Sequence, residues 1–370
     1  MREEWGLLAG FLPEGWQELA TKTGAMVHSR GVIRSPDVLL QVLLLHIATG
    51  LSLNQAAARA RLQDLAKISG VALFKRLRRA EGWLRVLARR MFERSRFACP
   101  GLRVPKGRRL RAVDATTIQE PGATGTDWRV HYSISLPRMR CDFYEVTDNK
   151  GGESYKRIPV RPGDIILGDR GYCHREGVAH VLQKQGDVIV RLNSSNFPLV
   201  CADRDVAFDL LPHLRRLRGH QSGEWCVRFL ADGQLWSGRL CAVRRARHAA
   251  DLAKKRILRQ AAKKDVQVRP ETLEAAEYIF VLTTLGRDVL DAWGILELYR
   301  ARWQIELCFK RLKSLLQLGH LAKTSDKSAR AWIEGKLLTV LLVEQLLAEA
   351  RLFSPWGFAR ATPKSLALVS

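Results

Sequence analysis

Three acidic side chains carry the chemistry that this sequence can offer. Asp114 closes the β-type run Arg111-Ala112-Val113-Asp114, and Asp169 closes Ile165-Ile166-Leu167-Gly168-Asp169, directly ahead of Arg170-Gly171-Tyr172. Carboxylates at strand ends meet at the carboxyl edge of an open sheet, where ligands of α/β proteins bind. Either aspartate by itself reads as a turn or cap residue. Together with a glutamate they would supply hard oxygen ligands to two Mg²⁺ ions about 3.5 to 4 Å apart, an arrangement suited to phosphodiester cleavage.

Glu306 is that glutamate. On a helix advancing about 100° per residue, Tyr299, Arg302, Lys310 and Lys313 fall within about 40° either side of it. The three bases can neutralise phosphate oxygens, and the tyrosine can donate a hydrogen bond or stack. From spacing alone, a salt-bridged surface helix explains the stripe better, since ion pairs three and four residues apart are common. The two aspartates shift the balance toward a metal site.

The elements that must position these residues follow from the patterning. Residues 1–100 read as a helical domain, with apolar residues at three and four spacing. Ser52-Leu53-Asn54-Gln55 has the form of a capping box, and Ser69-Gly70-Val71 reads as a second helix start, an arrangement like a weak helix-turn-helix. Between Arg59 and Arg111 stand 17 basic residues and three acidic ones (Asp64, Glu81, Glu93), which marks this region for DNA contact over a merely solvated face. Residues 101–193 then alternate short β-type runs with a helix expected over Arg175 to Gln185, the pattern of an α/β core. A β-rich insertion is expected over 194–285, with a very basic helical stretch at Ala246 to Lys264. Unbroken helical periodicity from Val289 to Leu318 places the glutamate helix in 286–320, and C-terminal helices, including one over Ala329 to Leu352, occupy 321–370.

Composition narrows the partners. The 370 residues include 61 Lys and Arg against 37 Asp and Glu, a net charge of +24. Such an excess favours a polyanion, because each neutralised phosphate releases condensed counterions. The most apolar stretches, Val38 to Ala48 and Leu337 to Ala348, are too short and too polar to cross a bilayer, so no membrane role is expected. Seven scattered cysteines form none of the close pairs a zinc site needs, and they fit a reducing cytoplasm.

With these residues assembled, a resemblance emerges. Tyr299-x2-Arg302-x3-Glu306-x6-Lys313 resembles the YREK signature of bacterial insertion-sequence transposases with a DDE active site. Val113-Asp114-Ala115-Thr116 and Gly168-Asp169-Arg170-Gly171-Tyr172 are similar to that family's first and second aspartate motifs. The likeness covers roughly Leu110 to Leu318. It implies an RNase H-like core of the retroviral-integrase type, interrupted by the β-rich insertion, preceded by a helical DNA-binding domain and followed by C-terminal helices. The 136 residues between Asp169 and Glu306 agree with an insertion.

By the same resemblance Asp114, Asp169 and Glu306 are the catalytic metal ligands, holding two Mg²⁺ ions for which Mn²⁺ substitutes. Arg170, Tyr299, Arg302 and Lys313 would face DNA; Lys310 joins them on the helical stripe. The partners implied are double-stranded DNA with terminal inverted repeats, target DNA and a second protomer in a DNA-bound homodimer, acting at the bacterial nucleoid. The reaction implied is hydrolysis at the element's ends followed by strand transfer. A tyrosine recombinase would instead use Tyr172 or Tyr299 as a nucleophile, but a metal triad explains more residues. The rival from another class is a non-catalytic regulator derived from a transposase. In the insertion, Trp225 and Trp236 read as core-packing residues.

Overall fold

The computed structural model describes residues 2–26, 32–94, 102–119, 127–136, 140–219, 221–303, 305–306 and 326–352. Lys310 and Lys313 lie outside the described residues. The chain divides into two compact units.

The first unit is helical. It comprises α1 (Arg2–Gly10), α2 (Trp16–Lys22), α3 (Pro36–Ile47), α4 (Leu53–Leu62), α5 (Gly70–Arg79), α6 (Glu81–Arg94) and the long C-terminal helix α12 (Asp326–Leu352). Local chemistry sets the helix starts. The Ser52 hydroxyl accepts from the Gln55 N–H at 3.2 Å, and the Gln55 side chain accepts from the Ser52 N–H at 2.9 Å, closing the expected capping box on α4. Ser69 caps α5 by accepting from the Ala72 N–H at 3.2 Å. On α5, Leu73 and Leu77 are buried while Val71, Lys75, Arg78 and Arg79 face solvent. Trp83 stacks on Trp16 with ring centroids 6.0 Å apart and donates its indole N–H to the Trp16 carbonyl at 2.9 Å. From Ala331 to Thr339 every residue of α12 is buried, the mark of a helix at the centre of its unit.

The second unit is built on a nine-stranded sheet of order β3-β2-β1-β4-β5-β9-β8-β7-β6. Its strands are β1 (Arg109–Ile118), β2 (Trp128–Leu136), β3 (Arg140–Asp148), β4 (Asp164–Gly168), β5 (Asp187–Arg191), β6 (Val200–Cys201), β7 (Ser222–Ala231), β8 (Gln234–Arg244) and β9 (Tyr278–Thr283). β1 and β3 each pair antiparallel with β2, β1-β4-β5 are parallel, and the remaining pairings are antiparallel. Helix α7 (Arg175–Gln183) is the crossover between β4 and β5 that a parallel pair requires. Val113, Ile166, Val188 and Val190 share one sheet face and pack beneath Tyr155, Tyr172 and Val178 in a continuous apolar core. Asp232 and Gly233, both at positive φ (50° and 72°), form the two-residue turn joining β7 to β8, which a type I′ hairpin demands. Trp225 and Trp236 pack on the same core, partly buried.

The stretch after β5 adds α8 (Leu210–Arg215), α9 (Arg247–Lys263) and α10 (Pro270–Ala275), and its long strands extend the same sheet, with β9 lying between β5 and β8. Two local expectations are corrected. Asp114 does not end its strand: β1 runs on to Ile118 because β2 continues to pair with it, and only the parallel pairing with β4 stops, at Ala112. The helical periodicity from Val289 is broken as well. Helix α11 (Ala292–Arg300) ends at Arg300, and Ala301, Arg302 and Ile305 each donate to the carbonyl three residues back, tightening the chain where a continuous α-helix was expected.

Candidate active site

Strand register brings the two aspartates together. Leu110 pairs with Ile165 and Ala112 with Leu167 in the parallel β1-β4 ladder; continuing that register by two residues sets Asp114 opposite Asp169. Adjacent strands stand about 4.8 Å apart, so neighbouring carboxylates at matched positions feel each other strongly. Burial first, then the charge of Asp169, raises Asp114 from its ordinary 3.8 to about 7, against the opposing pull of the Ala115 N–H and the Arg302 charge. The Ala115 N–H donates to Asp114 Oδ1 at 2.8 Å. Asp169 is both strand exit and cap: its Oδ1 accepts from the N–H groups of Gly171 at 2.8 Å and Tyr172 at 3.3 Å, opening a short 3-10 turn over Arg170–Tyr172.

The floor beneath Asp169 is close-set. A Cβ at Gly168 would meet the Tyr155 hydroxyl at 2.1 Å, and one at Gly171 would meet Glu153 Oε2 at 2.0 Å and Asp169 Oδ1 at 3.1 Å. Among the described residues the buried Tyr155 and Tyr172 hydroxyls have no hydrogen-bond partner, and their rings lie 5.2 Å apart. Glu153 is the carboxylate that sequence reasoning missed. Burial and the charge of Asp169 raise its pKa, while Arg129 and His174 lower it. It stands in the irregular segment after β3, where no periodicity or motif singles it out.

Opposite these groups lies the chain that leaves α11. Arg302 holds its guanidinium 5.7 Å from the centre of the Tyr299 ring and is ion-paired to Glu306. Burial raises the Tyr299 pKa, while the charges of Arg302 and Arg191 lower it. Tyr299 and Arg302 are thus electrostatic neighbours of Asp169 and Asp114 respectively. Glu306 is exposed and held by Arg302, and among the described residues no three His, Cys, Asp or Glu side chains gather into a metal-holding set. Partial burial of the Arg170 head group and the charge of Arg191 lower its pKa.

The loop into α11 is fixed by a buried arginine. Arg239 on β8 donates to the carbonyls of Leu285 (2.7 Å), Gly286 (3.1 Å) and Leu290 (2.8 Å) and to Glu224 Oε1 (2.8 Å). Asp291 then caps α11 by accepting from the Gly294 N–H at 2.8 Å.

Comparison with known proteins bears on the whole chain. Residues 138–342 match the family described as transposase DDE domain. The transposase for insertion sequence element IS421 of Escherichia coli is 34% identical over 362 residues, covering 95% of this chain and 96% of that protein. The InsL protein of insertion sequence element IS186A, from Escherichia coli strain K12, is likewise 34% identical, over 361 residues, with the same coverage. More distant is the transposase for insertion sequence element IS231F of Bacillus thuringiensis subsp. israelensis, 24% identical over 278 residues, which span 66% of this chain and 57% of that protein.

Proposed function

Because the chain belongs to the DDE transposases of bacterial insertion sequences, we propose that Asp114, Asp169 and Glu306 form its metal-binding catalytic centre and that it cuts DNA at the ends of a mobile element. The observation that carries this reading is the action of the Asp169 charge on Asp114 just past the end of the parallel β1-β4 ladder, whose register, carried on two residues, sets them opposite each other. The strand order β3-β2-β1-β4-β5, three antiparallel strands followed by two parallel ones, supports an RNase H-like core. The family uses divalent metal, and the residues fit one: two hard carboxylates crowd each other in a partly buried place, a repulsion that a divalent cation relieves. Mg²⁺, with Mn²⁺ as a substitute, is the ion we assign. When bound, such ions stabilise the charge that develops on phosphorus oxygens and on the leaving oxygen.

The chain's own residues do the rest. Arg302, now neutralising Glu306, exchanges that carboxylate for a DNA phosphate, and Glu306 is released toward the aspartates. Tyr299 and Arg170 hold the strand beside them, with Lys310 and Lys313 assigned the same role. Residues 1–100 recognise the terminal inverted repeats, with the exposed basic side of α5 against the duplex. Two protomers then pair the ends at the nucleoid, and the freed 3′ hydroxyl attacks target DNA. Among the described residues no helix is long and apolar enough to cross a membrane.

The test is direct. Protein and Mg²⁺ are incubated with duplexes carrying the element's own ends, and breaks are mapped at nucleotide resolution. Wild-type protein should cut at the element boundary, and Asp114→Asn or Asp169→Asn should bind the duplex without cutting it. Unchanged cutting by either variant removes that aspartate from the chemistry.

A further inference from the structure

We propose that helix α9 is a clamp for double-stranded DNA, laying a basic face along the sugar-phosphate backbone that leads away from the catalytic centre. The identity of the partner rests on the transposase reading; the surface itself rests on the helix.

Helix α9 runs for 17 residues, yet Ala250 is the one residue it buries. Leu252 and Leu258 are exposed at 41% and 48%. A helix that gives so little to the core is not there to complete the packing. Its root is secured separately: Glu277 accepts from Arg244 at 2.9 Å and from Lys254 at 2.6 Å, and its carbonyl accepts from the Arg245 N–H at 2.7 Å. Arg244 and Lys254 therefore have structural partners and are set aside.

What remains is one-sided. At about 100° per residue, His248, Lys255, Arg256, Arg259 and Lys263 fall within about 60° of a single direction, opposite Ala250. All five are exposed, and Asp251 lies off the stripe. Among the described residues Lys255, Arg256, Arg259 and Lys263 have no ion-pair partner. A surface helix kept soluble by charge would interleave acids with these bases.

The row of cations also continues toward the active centre. Partial burial and then the charges of Arg191 and Arg256 lower the pKa of Arg245. Arg191 at the end of β5 and Arg256 on α9 thus each stand within electrostatic reach of Arg245, and Arg191 also reaches Tyr299. Among the described residues the buried Arg245 Nε has no hydrogen-bond partner. Gathering like charges costs free energy that a polyanion along the row returns. A 17-residue helix is about 25 Å long, enough to follow several phosphates of one strand.

The test removes the face and keeps the helix. In the full chain, Lys255, Arg256, Arg259 and Lys263 are replaced together by Gln, a residue of comparable helix propensity. A control variant removes four other exposed charges, Arg161, Lys184, Arg216 and Arg218. Fluorescence anisotropy follows binding to a 40-base-pair duplex carrying the element end, and to an unrelated duplex of that length, between 50 and 200 mM salt. The α9 variant should flatten the logarithmic salt dependence by about three to four on both duplexes, since each phosphate contact contributes about 0.9 and carries no sequence information. The control should stay within about one unit of wild type. Thermal melting checks the fold, and Arg259→Gln alone, expected to shift the slope by about one, serves if the quadruple variant is unstable.

Equal flattening by both quadruple variants would reduce the effect to net charge and overturn the clamp. A wild-type slope for the α9 variant, in protein that still binds and cuts, overturns the clamp alone and leaves the face to an acidic protein partner. Wild-type protein that binds neither duplex overturns the transposase reading and the clamp together.

Discussion

Asp114→Asn tests whether the aspartate pair is held under electrostatic load. An acid whose folded pKa lies above its unfolded value binds its proton more tightly when folded. Folding is therefore penalised as soon as pH exceeds the unfolded value, and the penalty grows until the folded value is passed. For Asp114 these limits are 3.8 and about 7. At 1.36 kcal/mol per unit, the metal-free protein carries a penalty of about 4 kcal/mol at pH 8 and less than about 2 kcal/mol at pH 5. Asparagine removes the ionisation but keeps an oxygen to accept from the Ala115 N–H, now 2.8 Å away. Urea denaturation in the presence of a chelator should show the variant more stable than wild type by up to about 4 kcal/mol at pH 8, and by less than half of that at pH 5. Adding Mg²⁺ at pH 8 should stabilise wild type and leave the variant unmoved, because only a ligand that binds the folded state shifts the equilibrium. A gain equal at both pH values, or a variant less stable than wild type at pH 8, would show that Asp114 carries no such electrostatic load.

Three further outcomes follow from the geometry. Gly168→Ala drives a Cβ to 2.1 Å from the Tyr155 hydroxyl and should cost about 1 to 3 kcal/mol in denaturant unfolding, part of it recovered by adding Tyr155→Phe; strict additivity of the two changes would refute the contact. Arg239→Met strips three carbonyls and Glu224 of their donor and should cost about 3 kcal/mol or more, with amide exchange quickening most over residues 284–291; uniform quickening would deny the loop its special dependence. Arg302→Gln frees Glu306 and withdraws a charge that lowers the Asp114 pKa, so a carboxyl NMR titration without metal should find Asp114 titrating higher than in wild type, and DNA binding should lose about one unit of salt slope.

Local rules made much of this protein legible before folding. Ser52 and Gln55 announce a helix start because a capping box is completed within four residues. The runs ending at Asp114 and Asp169 announce strands because apolar β-formers cluster there, and the spacing of Tyr299, Arg302 and Glu306 can be read within one short stretch of chain. Arg302 and Glu306, four residues apart, do form the ion pair that spacing alone favoured.

Tertiary structure decided what is long-range. That Asp114 and Asp169 face each other depends on the register of two strands 55 residues apart, and a slip of one residue would turn one side chain to the other face. Glu153 reaches Asp169 from an irregular segment whose path no periodicity describes. The break after Arg300 escaped the pattern because apolar spacing continues through it while the hydrogen bonds shorten to three residues. The place of β9 between β5 and β8, and the grip of Arg239 on the loop into α11, arise from pairings across 34 or more residues. Helix caps and apolar runs are sums of neighbouring propensities, readable in one dimension. Strand order and register are settled only when distant segments compete for the same edge and the same core.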